Sequence, residues 1–299
     1  MKWTFVALAG LLFCTFAAAQ GQPSRPRILG IFGVHFYSTN IAATRPFYQQ
    51  VMHPGGACLW CEQPPTSPLN ILLSSGQVLT LTTPPKVMPQ SLLYEIVFAT
   101  DNLKAMRAYL LANKVPIEKP QKKGSEQFVV TDPEGHRVSF FELPKSLQPL
   151  ANNDNPRIIH AGLVVHDRAA EDKFYKDILG FHVYWHGGMK DGEDNWVDMQ
   201  VPDGTDWIEY MLKVPDNATH KQLGVMNHIA LGVPDIHVAQ QQLIDNSWIG
   251  TEEPKIGRDG KWQLNLYDPD ETRVELMEFK PTKEPCCSPY TGPHPGPPQ

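Results

Sequence analysis

The sequence predicts an α+β fold of two tandem domains, each made of paired βαβββ units that form a curled mixed sheet. Three observations support this fold class. Residues 28–145 and 157–280 show the same order of strand and helix patterns, and a stretch rich in Pro, Asn and Asp separates them. Within each half the order repeats at half the length. The turns Asp132-Pro133 and Asp268-Pro269 precede the last strand of the two halves.

The first unit of the carboxy-terminal domain opens with a β-branched strand and continues with a charged helix. Gly180 follows the helix, where a left-handed residue commonly ends one. Gly187-Gly188 and the turn Pro202-Asp203-Gly204 separate the later strands. The predicted elements are the strand 158–165, the helix 168–179 and the strands 181–185, 195–201 and 206–213.

The second unit repeats this order. Its predicted elements are the strand 226–233, the helix 235–246, a strand near Ile249 and the strands 262–267 and 273–279. The amino-terminal domain has the same order of elements. Its first unit begins with residues 33–36 and ends with residues 77–83, and its second unit begins with residues 92–99 and ends with residues 132–142.

Composition supports two globular domains and narrows the range of partners. The 299 residues exceed the roughly 100–200 residues of one ordinary domain, and 41% hydrophobic residues suffice for a sizeable core. The net charge of -6 and the lack of a patch rich in Lys and Arg argue against nucleic acid and acidic membranes. A small-molecule substrate is the expected partner, and the oligomeric state stays open.

The first 19 residues are typical of a signal peptide. Lys2 gives the positive start, residues 3–16 the apolar segment, and Ala17-Ala18-Ala19 the small-residue cleavage site. The apolar segment is shorter than the ~20 residues that cross a bilayer, so a membrane anchor is the weaker alternative. We therefore expect a secreted or periplasmic protein that begins near Gln20 and contacts no membrane.

Removal of the signal leaves four cysteines, Cys58, Cys61, Cys286 and Cys287. In an exported protein disulfides are the default, and adjacent cysteines rarely bridge each other. We therefore expect Cys58 or Cys61 to be linked to the tail, residues 281–299, through Cys286 or Cys287. A four-thiolate zinc site and a redox-active Cys-x-x-Cys are the alternatives.

Four residues of the carboxy-terminal domain form the strongest chemical pattern. Each unit places one His on its first strand and one Glu on its last, His160 with Glu209 and His228 with Glu275. The intervals are 209 − 160 = 49 and 275 − 228 = 47 residues, so a two-fold arrangement of the units would bring all four together. Two imidazoles and two carboxylates suit one divalent first-row ion that keeps open positions for water or substrate.

Each of these residues also has a simpler explanation. A single His on a strand is more often structural than a ligand, and either Glu could form a salt bridge. Both glutamates, however, lie in segments rich in large apolar residues, where a carboxylate without a cation is costly. Four coincidences at matched positions therefore favour metal binding.

These four residues, with residues 175–181 and the turn Asp268-Pro269-Asp270, resemble the vicinal oxygen chelate superfamily. That superfamily includes glyoxalase I, methylmalonyl-CoA epimerase, extradiol dioxygenases and the bleomycin- and fosfomycin-resistance proteins. The resemblance covers both halves and implies a curled sheet of eight strands around one divalent metal, which would be Zn, Ni, Co, Mn or Fe. It also implies chelation of vicinal substrate oxygens, with stabilisation of an enediolate, a carbanion or bound dioxygen.

The amino-terminal domain departs from this pattern. His35 aligns with His160. The other three ligand positions hold Leu79 or Thr80, Glu95 and Ser139. We therefore expect a metal-free domain with a structural or substrate-shaping role, a layout that resembles that of extradiol dioxygenases.

The ligand set also decides among reactions. A His-Glu-His-Glu set is similar to that of glyoxalase I, in which one carboxylate transfers a proton, and Glu209 or Glu275 would have this catalytic role. In the extradiol family two His and one carboxylate are needed, so Glu209 would fill an open position. We expect a glyoxalase-like or epimerase-like lyase or isomerase acting on an oxygenated small molecule. An extradiol dioxygenase and a non-enzymatic binding or resistance protein are the alternatives.

Other polar and aromatic residues, predicted to lie near the entrance to the metal site, are weaker candidates for substrate contact. They are His186, Asn195, Trp196, Asn265 and Tyr267. The Tyr expected in an extradiol enzyme corresponds to Asn265, with Tyr267 close by, which counts against ring cleavage. A loop histidine such as His186 is more often simply exposed.

Overall fold

The computed structural model describes residues 23–52, 68–73, 76–119, 127–143 and 156–297. These residues form one sheet of six strands and one of eight. The predicted α+β fold of two tandem domains is confirmed. The expected signal peptide, residues 1–19, lies outside the described residues, and so do Cys58 and Cys61.

The amino-terminal sheet has the strand order β2-β3-β1-β4-β6-β5. Its described units each run β-α-β-β. The elements are β1 (Ile28–Tyr37), α1 (Ile41–Met52), β2 (Leu69–Leu72), β3 (Val78–Thr82), β4 (Leu93–Thr100), α2 (Leu103–Ala112), β5 (Gln127–Thr131) and β6 (Arg137–Glu142).

The carboxy-terminal sheet has the strand order β12-β13-β14-β11-β7-β10-β9-β8. Its first unit contains β7 (Arg157–Val164), α3 (Arg168–Asp172) with a following π-helical turn (Lys173–Ile178), β8 (His182–Gly187), β9 (Trp196–Gln200) and β10 (Trp207–Met211). After α4 (His220–Met226), the second unit contains β11 (His228–Val233), α5 (Ile236–Asp245), β12 (Lys255–Ile256), β13 (Trp262–Tyr267) and β14 (Arg273–Glu278).

Two elements differ from the sequence-based expectation. The strand expected near Ile249 lies instead at β12, because pairing with β13 selects that segment and leaves Ile249 93% exposed. The helix α4 was not expected; it begins at a capping box in which Thr219 and Gln222 bond each other's backbone N–H. No helix in the described part of the chain is long and apolar enough to span a bilayer.

The two units of the carboxy-terminal domain meet along their first strands. β7 pairs antiparallel with β11, and each of these strands pairs parallel with the last strand of its own unit, β10 or β14. Because β7 and β11 are buried along nearly their whole length, β-branched and small residues dominate them. The four strands that carry the predicted ligands are therefore neighbours at the centre of the sheet.

The two domains are joined by two similar hydrogen bonds between a tyrosine and an aspartate, and we call these two contacts the first and the second junction. In the first junction, the Tyr175 hydroxyl of the carboxy-terminal domain donates to Asp132 Oδ2, in the turn between β5 and β6, at 3.0 Å. In the second junction, the Tyr48 hydroxyl of α1 donates to Asp268 Oδ2, in the turn between β13 and β14, at 3.1 Å. Each domain thus holds a helix of the other.

The chain after Phe279 contains neither helix nor strand in its described part and packs across the carboxy-terminal sheet. The Tyr290 hydroxyl donates to the Asp259 carbonyl at 2.8 Å, and the Thr291 N–H donates to the Tyr184 carbonyl at 3.0 Å. Asp259 precedes β13 and Tyr184 lies on the edge strand β8. The tail therefore bridges the two ends of the curled sheet.

The predicted cysteine pairing in the tail is wrong. Cys286 and Cys287 form a disulfide with each other, so neither is linked to Cys58 or Cys61. The chain allows this because it reverses at Cys287, where φ is 76° and the Ser288 N–H donates to the Cys286 carbonyl at 2.8 Å. The tail is instead held by packing and hydrogen bonds.

Candidate metal centre

The register of the central strands brings the four predicted ligands together. Gly162 of β7 pairs with Glu209 on one side and with His228 on the other. Ala230 of β11 pairs with His160 on one side and with Glu275 on the other. Each carboxylate therefore stands one strand away from a histidine, on the concave face of the sheet.

The ligand atoms of the four side chains converge. The Nε2 atoms of His160 and His228 lie 3.0 Å apart. Glu209 Oε2 lies 3.3 Å from His228 Nε2 and 3.9 Å from His160 Nε2. Glu275 Oε2 lies 3.7 Å from each Nε2. One ligand atom each of His160, Glu209 and His228 lies within 4.8 Å of the other two, and Glu275 stands beside both imidazoles.

A glycine makes room for one of the imidazoles. A Cβ atom on Gly162 would lie 2.1 Å from the ring of His228, far closer than any carbon contact allows. His228 is fully buried, so its ring cannot move outward into solvent. The absence of a side chain at Gly162 is therefore a condition for the site.

The two imidazoles are prepared differently. His228 Nδ1 lies 2.8 Å from the Met226 carbonyl, which fixes the tautomer with the proton on Nδ1 and leaves Nε2 as an acceptor. The His160 ring packs against Trp207 at 4.8 Å, and its buried Nδ1 has no hydrogen-bond partner among the described residues. Trp207 thus fixes the plane of the ring where no protein acceptor does so.

Burial shapes the charge of the cluster. It lowers the pKa of His160 and of His228 well below the ordinary value, so both imidazoles are neutral and able to coordinate a cation. Burial also raises the pKa of Glu209 and of Glu275 to about 7, although the positive charge of Arg273 lowers both. Two neutral imidazoles and two buried carboxylates fit one divalent ion of the Zn, Ni, Co, Mn or Fe class.

Arg273 belongs to the same site and was missed by the sequence reasoning. Its Nη2 atom lies 2.6 Å from His228 Nε2 and 3.9 Å from Glu209 Oε2. The only signal in the sequence was its position two residues before Glu275, which places both side chains on the same face of β14. The guanidinium supplies positive charge beside the ligands.

The ligands open into a cavity of about 330 Å³. Glu209, Glu275 and His160 are among its lining residues, and its walls combine apolar with charged and polar side chains. The apolar wall residues are Trp185, Met189, Trp196, Trp207, Ile256 and Met277, and the charged and polar ones are Asp198, Lys255, Arg258, Asp259 and Gln263. Such walls accept a small molecule that has both apolar and polar groups.

A buried lysine lies behind one of these walls. The Nζ atom of Lys261 lies 4.4 Å from the ring centre of Trp207 and has no hydrogen-bond partner among the described residues. Burial lowers the pKa of Lys261, whereas Asp259, Asp198 and the carboxylates of the metal centre raise it. Lys261 therefore adds a second cation to this carboxylate-rich hollow.

The weaker candidates for substrate contact are distributed unevenly. Trp196 lines the cavity. The His186 ring is paired with Asp194 at 2.8 Å, and the Asn195 side chain accepts from the Met189 N–H at 2.9 Å. The remaining two lie on β13, where Asn265 accepts from Arg273 at 3.3 Å and Tyr267 is 41% exposed. The described residues that line the cavity include only Trp196 of these five.

The amino-terminal sheet corrects the sequence alignment by two residues. His35 pairs with Thr80 on one side and with Glu95 on the other. In the carboxy-terminal sheet the residue with the equivalent two partners is Gly162, and not His160. Gly33 pairs with Val78 and Val97, as His160 does with Trp207 and Ala230. The four ligand positions therefore hold Gly33, Thr80, Glu95 and Ser139.

Comparison with known proteins gives a family and a set of similar folds. Residues 157–276 match the Glyoxalase/Bleomycin resistance protein/Dioxygenase superfamily. No curated protein sequence matches the chain. Homoprotocatechuate 2,3-dioxygenase from Brevibacterium fuscum, in complex with 3,4-dihydroxyphenylacetate, is structurally similar, with a TM-score of 0.58 and 18% identity over 85% of this chain and 82% of that one. The same enzyme from Arthrobacter globiformis gives 0.57 and 17% over 86% and 82%.

Proposed function

Because residues 157–276 belong to the glyoxalase, bleomycin resistance protein and dioxygenase superfamily, we propose that the chain is a metal-dependent lyase or isomerase. Its substrate would be a small molecule with two neighbouring oxygen atoms. One observation carries the proposal: Glu209 Oε2 lies 3.3 Å from His228 Nε2, within the ligand cluster and not in solvent. A fourth ligand of this kind favours proton transfer over chemistry that needs three open positions.

His160, His228, Glu209 and Glu275 would hold the ion, which supplies Lewis-acid polarisation of the substrate oxygens. The bond from His228 Nδ1 to the Met226 carbonyl leaves Nε2 as the acceptor, and the ion would replace Arg273 Nη2, which lies 2.6 Å from that nitrogen. Glu275 is 3% exposed and stays in place between the histidines. Glu209, the more accessible carboxylate at 14%, takes the proton from the carbon next to the polarised oxygens and returns it.

The aromatic walls orient the substrate and keep water away from that proton. Trp185, Trp196 and Trp207 present broad apolar surfaces above the carboxylates. A low-polarity enclosure strengthens the interaction between a developing negative charge and the cationic groups of the site. These groups include Arg273, which lies 3.9 Å from Glu209.

The test compares Glu209→Gln with wild-type protein, each loaded in turn with Zn, Ni, Co, Mn and Fe. Activity is screened with 2-oxoaldehyde adducts, hydroxy acids and catechols. We expect turnover to fall about 10²- to 10⁴-fold while KM changes little, because an amide can coordinate but cannot accept a proton. Metal content should fall only in part. Glu253→Gln, an exposed position, serves as the control.

A second function is favoured by the two-domain likeness to homoprotocatechuate 2,3-dioxygenase. Extradiol cleavage would use His160, His228 and Glu275 alone, with Glu209 displaced from the ligand set. Iron-loaded protein that consumes oxygen with a catechol, and does so equally well after Glu209→Gln, would establish this reaction in place of proton transfer. Tight binding of a substrate without turnover in either assay would instead indicate a sequestering protein.

The expected signal peptide adds a location to the proposal. If residues 1–19 are removed on export, the reaction takes place in a secreted or periplasmic protein. Glutathione adducts are scarce outside cells, so the substrate is sought among other oxygenated small molecules. Amino-terminal sequencing of the protein recovered from its native source tests this location, and a chain that still begins at Met1 would contradict it.

A further inference from the structure

The first junction between the domains gathers residues of the types that bind metals. Asp132 and His136 lie in the turn between β5 and β6, and Glu171 lies in α3 of the other domain. One potential ligand atom from each lies within 4.8 Å of the other two. We propose that these three side chains bind a second divalent cation, of the zinc class, which links the two domains.

The carboxylate of Asp132 is already oriented for such a role. Its Oδ1 accepts from the Glu134 and His136 N–H groups at 3.1 and 2.8 Å. Its Oδ2 lies 2.8 Å from His136 Nδ1 and accepts from the Tyr175 hydroxyl at 3.0 Å. When His136 Nδ1 carries no proton, this nitrogen and Asp132 Oδ2 become two neighbouring ligand atoms for a cation.

Glu171 supplies the observation that calls for a cation. It is fully buried, and its Oε1 accepts from the Glu134 N–H at 3.0 Å. Its Oε2 is also buried and has no hydrogen-bond partner among the described residues. A carboxylate oxygen left in this state costs free energy unless it carries a proton or meets a positive charge.

A second unsatisfied group lies next to the cluster. Tyr210 is fully buried, its hydroxyl has no hydrogen-bond partner in the described part of the chain, and its ring packs 6.0 Å from that of Tyr175. The junction therefore leaves both a donor and an acceptor unused, as a site for an ion with its water does.

The second junction shows that domain contact alone does not require these ligands. Asp268 and Tyr48 repeat the Asp132 and Tyr175 pair. Thr272, four residues after Asp268, stands where His136 stands in the first junction. The helix residue four before Tyr48 is Thr44, whereas the residue four before Tyr175 is Glu171. The chain thus contains a matched contact that lacks counterparts of both His136 and Glu171.

The donor set and its position indicate the kind of ion. One imidazole with two carboxylates suits Zn²⁺ or a similar first-row ion better than Ca²⁺, which prefers six or more oxygens. The His136 side chain is 20% exposed, so solvent can reach the cluster. The expectation of one ion per chain counted only ligands within a single domain, and this site draws on two.

Zinc content per chain, measured by elemental analysis after zinc loading and desalting, tests the proposal. We expect two ions in the wild-type protein and one in Glu171→Gln. The double variant His160→Ala with His228→Ala should keep one ion, and the triple variant none. Asp268→Asn, in the second junction, is the control and should keep two.

Thermal unfolding of the double variant gives an independent measurement. Zinc in excess should raise its midpoint by on the order of 5 °C, because the ion binds only the folded junction. The rise should disappear when Glu171→Gln is added, and Ca²⁺ should give none. A folded double variant that holds no zinc and shows no rise would overturn the proposal and leave a proton as the occupant. If the double variant fails to fold, an unchanged zinc content in Glu171→Gln would overturn it equally.

Discussion

The concave faces of the two sheets differ by the exchange of a histidine and a glycine. In the carboxy-terminal sheet β7 carries His160 and, two residues later, Gly162; in the amino-terminal sheet β1 carries Gly33 and then His35. Gly162 leaves space for the His228 ring, whereas His35 fills the corresponding space and bonds Thr82 Oγ1 at 2.7 Å. A metal centre in this fold therefore needs an empty position as much as it needs ligands.

The amino-terminal sheet also resists conversion into a metal site. A Cβ atom on Gly33 would lie 2.7 Å from the Val78 carbonyl oxygen, which belongs to the backbone and cannot turn aside. Glu95, at the position of His228, is paired with Arg137 at 3.4 Å. Arg137 also meets Glu118 at 2.7 Å. Here the carboxylate is compensated by a protein cation, and the sheet is stabilised without a metal.

The largest effect is expected from filling the empty position. Gly162→Ala should displace His228 and weaken metal binding by about 10- to 100-fold or more, because the new Cβ would occupy the space of the ring. Competitive metal titration of the folded variant measures the loss. Gly296→Ala is the control, since nothing lies within 4 Å of its added carbon. Wild-type affinity in Gly162→Ala would contradict the steric argument.

The next effect concerns the ion pair of the amino-terminal sheet. Arg137→Met should lower the free energy of unfolding by about 3 kcal/mol, because it leaves the 8% exposed Glu95 side chain without its cation. Chemical denaturation measures the change. Adding Glu95→Leu should recover most of it, since no buried charge then remains. Lys213→Met, which removes an exposed pair, should cost no more than about 1 kcal/mol.

The second junction should make stability depend on pH. Burial raises the pKa of Asp268 to about 7, above the value of about 3.9 expected in the unfolded chain. The folded state then binds more protons between these values, so the free energy of unfolding should fall as pH rises from 4 to 7. We expect on the order of 3 kcal/mol from this residue.

Denaturation of metal-free protein across that pH range checks the prediction. Asp268→Asn should reduce the slope without removing it, since the amide does not titrate yet still accepts from the backbone N–H groups of the turn, whereas Glu209 and Glu275 still titrate in this range. Asp177→Asn, at an exposed site, should leave the slope unchanged. A slope that is identical in wild type and Asp268→Asn would be inconsistent with a protonated Asp268 in the folded protein.

The smallest effect on the free energy of unfolding is expected at Glu271, which lies three residues after Asp268 just as Gly135 lies three residues after Asp132. Gly135 has a φ of 95°, whereas the corresponding Glu271 has a φ of 62°, a left-handed conformation that costs a side-chain-bearing residue about 1 kcal/mol. Glu271→Gly should therefore raise the free energy of unfolding slightly, because relief of the left-handed conformation outweighs loss of the exposed Lys221 pair. Glu271→Gln loses the pair without relieving φ and should show no gain.

Periodicity and repetition were sufficient to predict most of the fold and the convergence of four side chains at its centre. His160, Glu209, His228 and Glu275 were identifiable because the units repeat and each carboxylate lies among apolar residues. The alignment of His35 with His160 was wrong for a physical reason. A shift of two residues keeps a strand's side chains on the same face, so the hydrophobic pattern looks identical in either register. Only hydrogen-bond pairing with the neighbouring strands distinguishes them.

Other features depend on contacts distant in sequence. The disulfide between Cys286 and Cys287 needs a reversal of the backbone at Cys287, and the residue types at this position do not predict such a reversal. The proximity of Arg273 to His228 follows from strand pairing, and the junction cluster combines Glu171 with residues of the other domain. Such arrangements arise from tertiary structure, and local sequence patterns carry no record of them.

The two junctions between the domains differ in sequence separation, and this difference predicts the order in which they form during folding. Asp132 and Tyr175 are 43 residues apart, whereas Tyr48 and Asp268 are 220 residues apart. The loop-closure free energy of the second contact is higher by about 1.4 kcal/mol, because the chain segment between its residues is more than four times as long. The first junction should therefore close early and hold α3 against the amino-terminal domain. Closure of the second then completes a ring of contacts, so the two domains should unfold together in one cooperative transition.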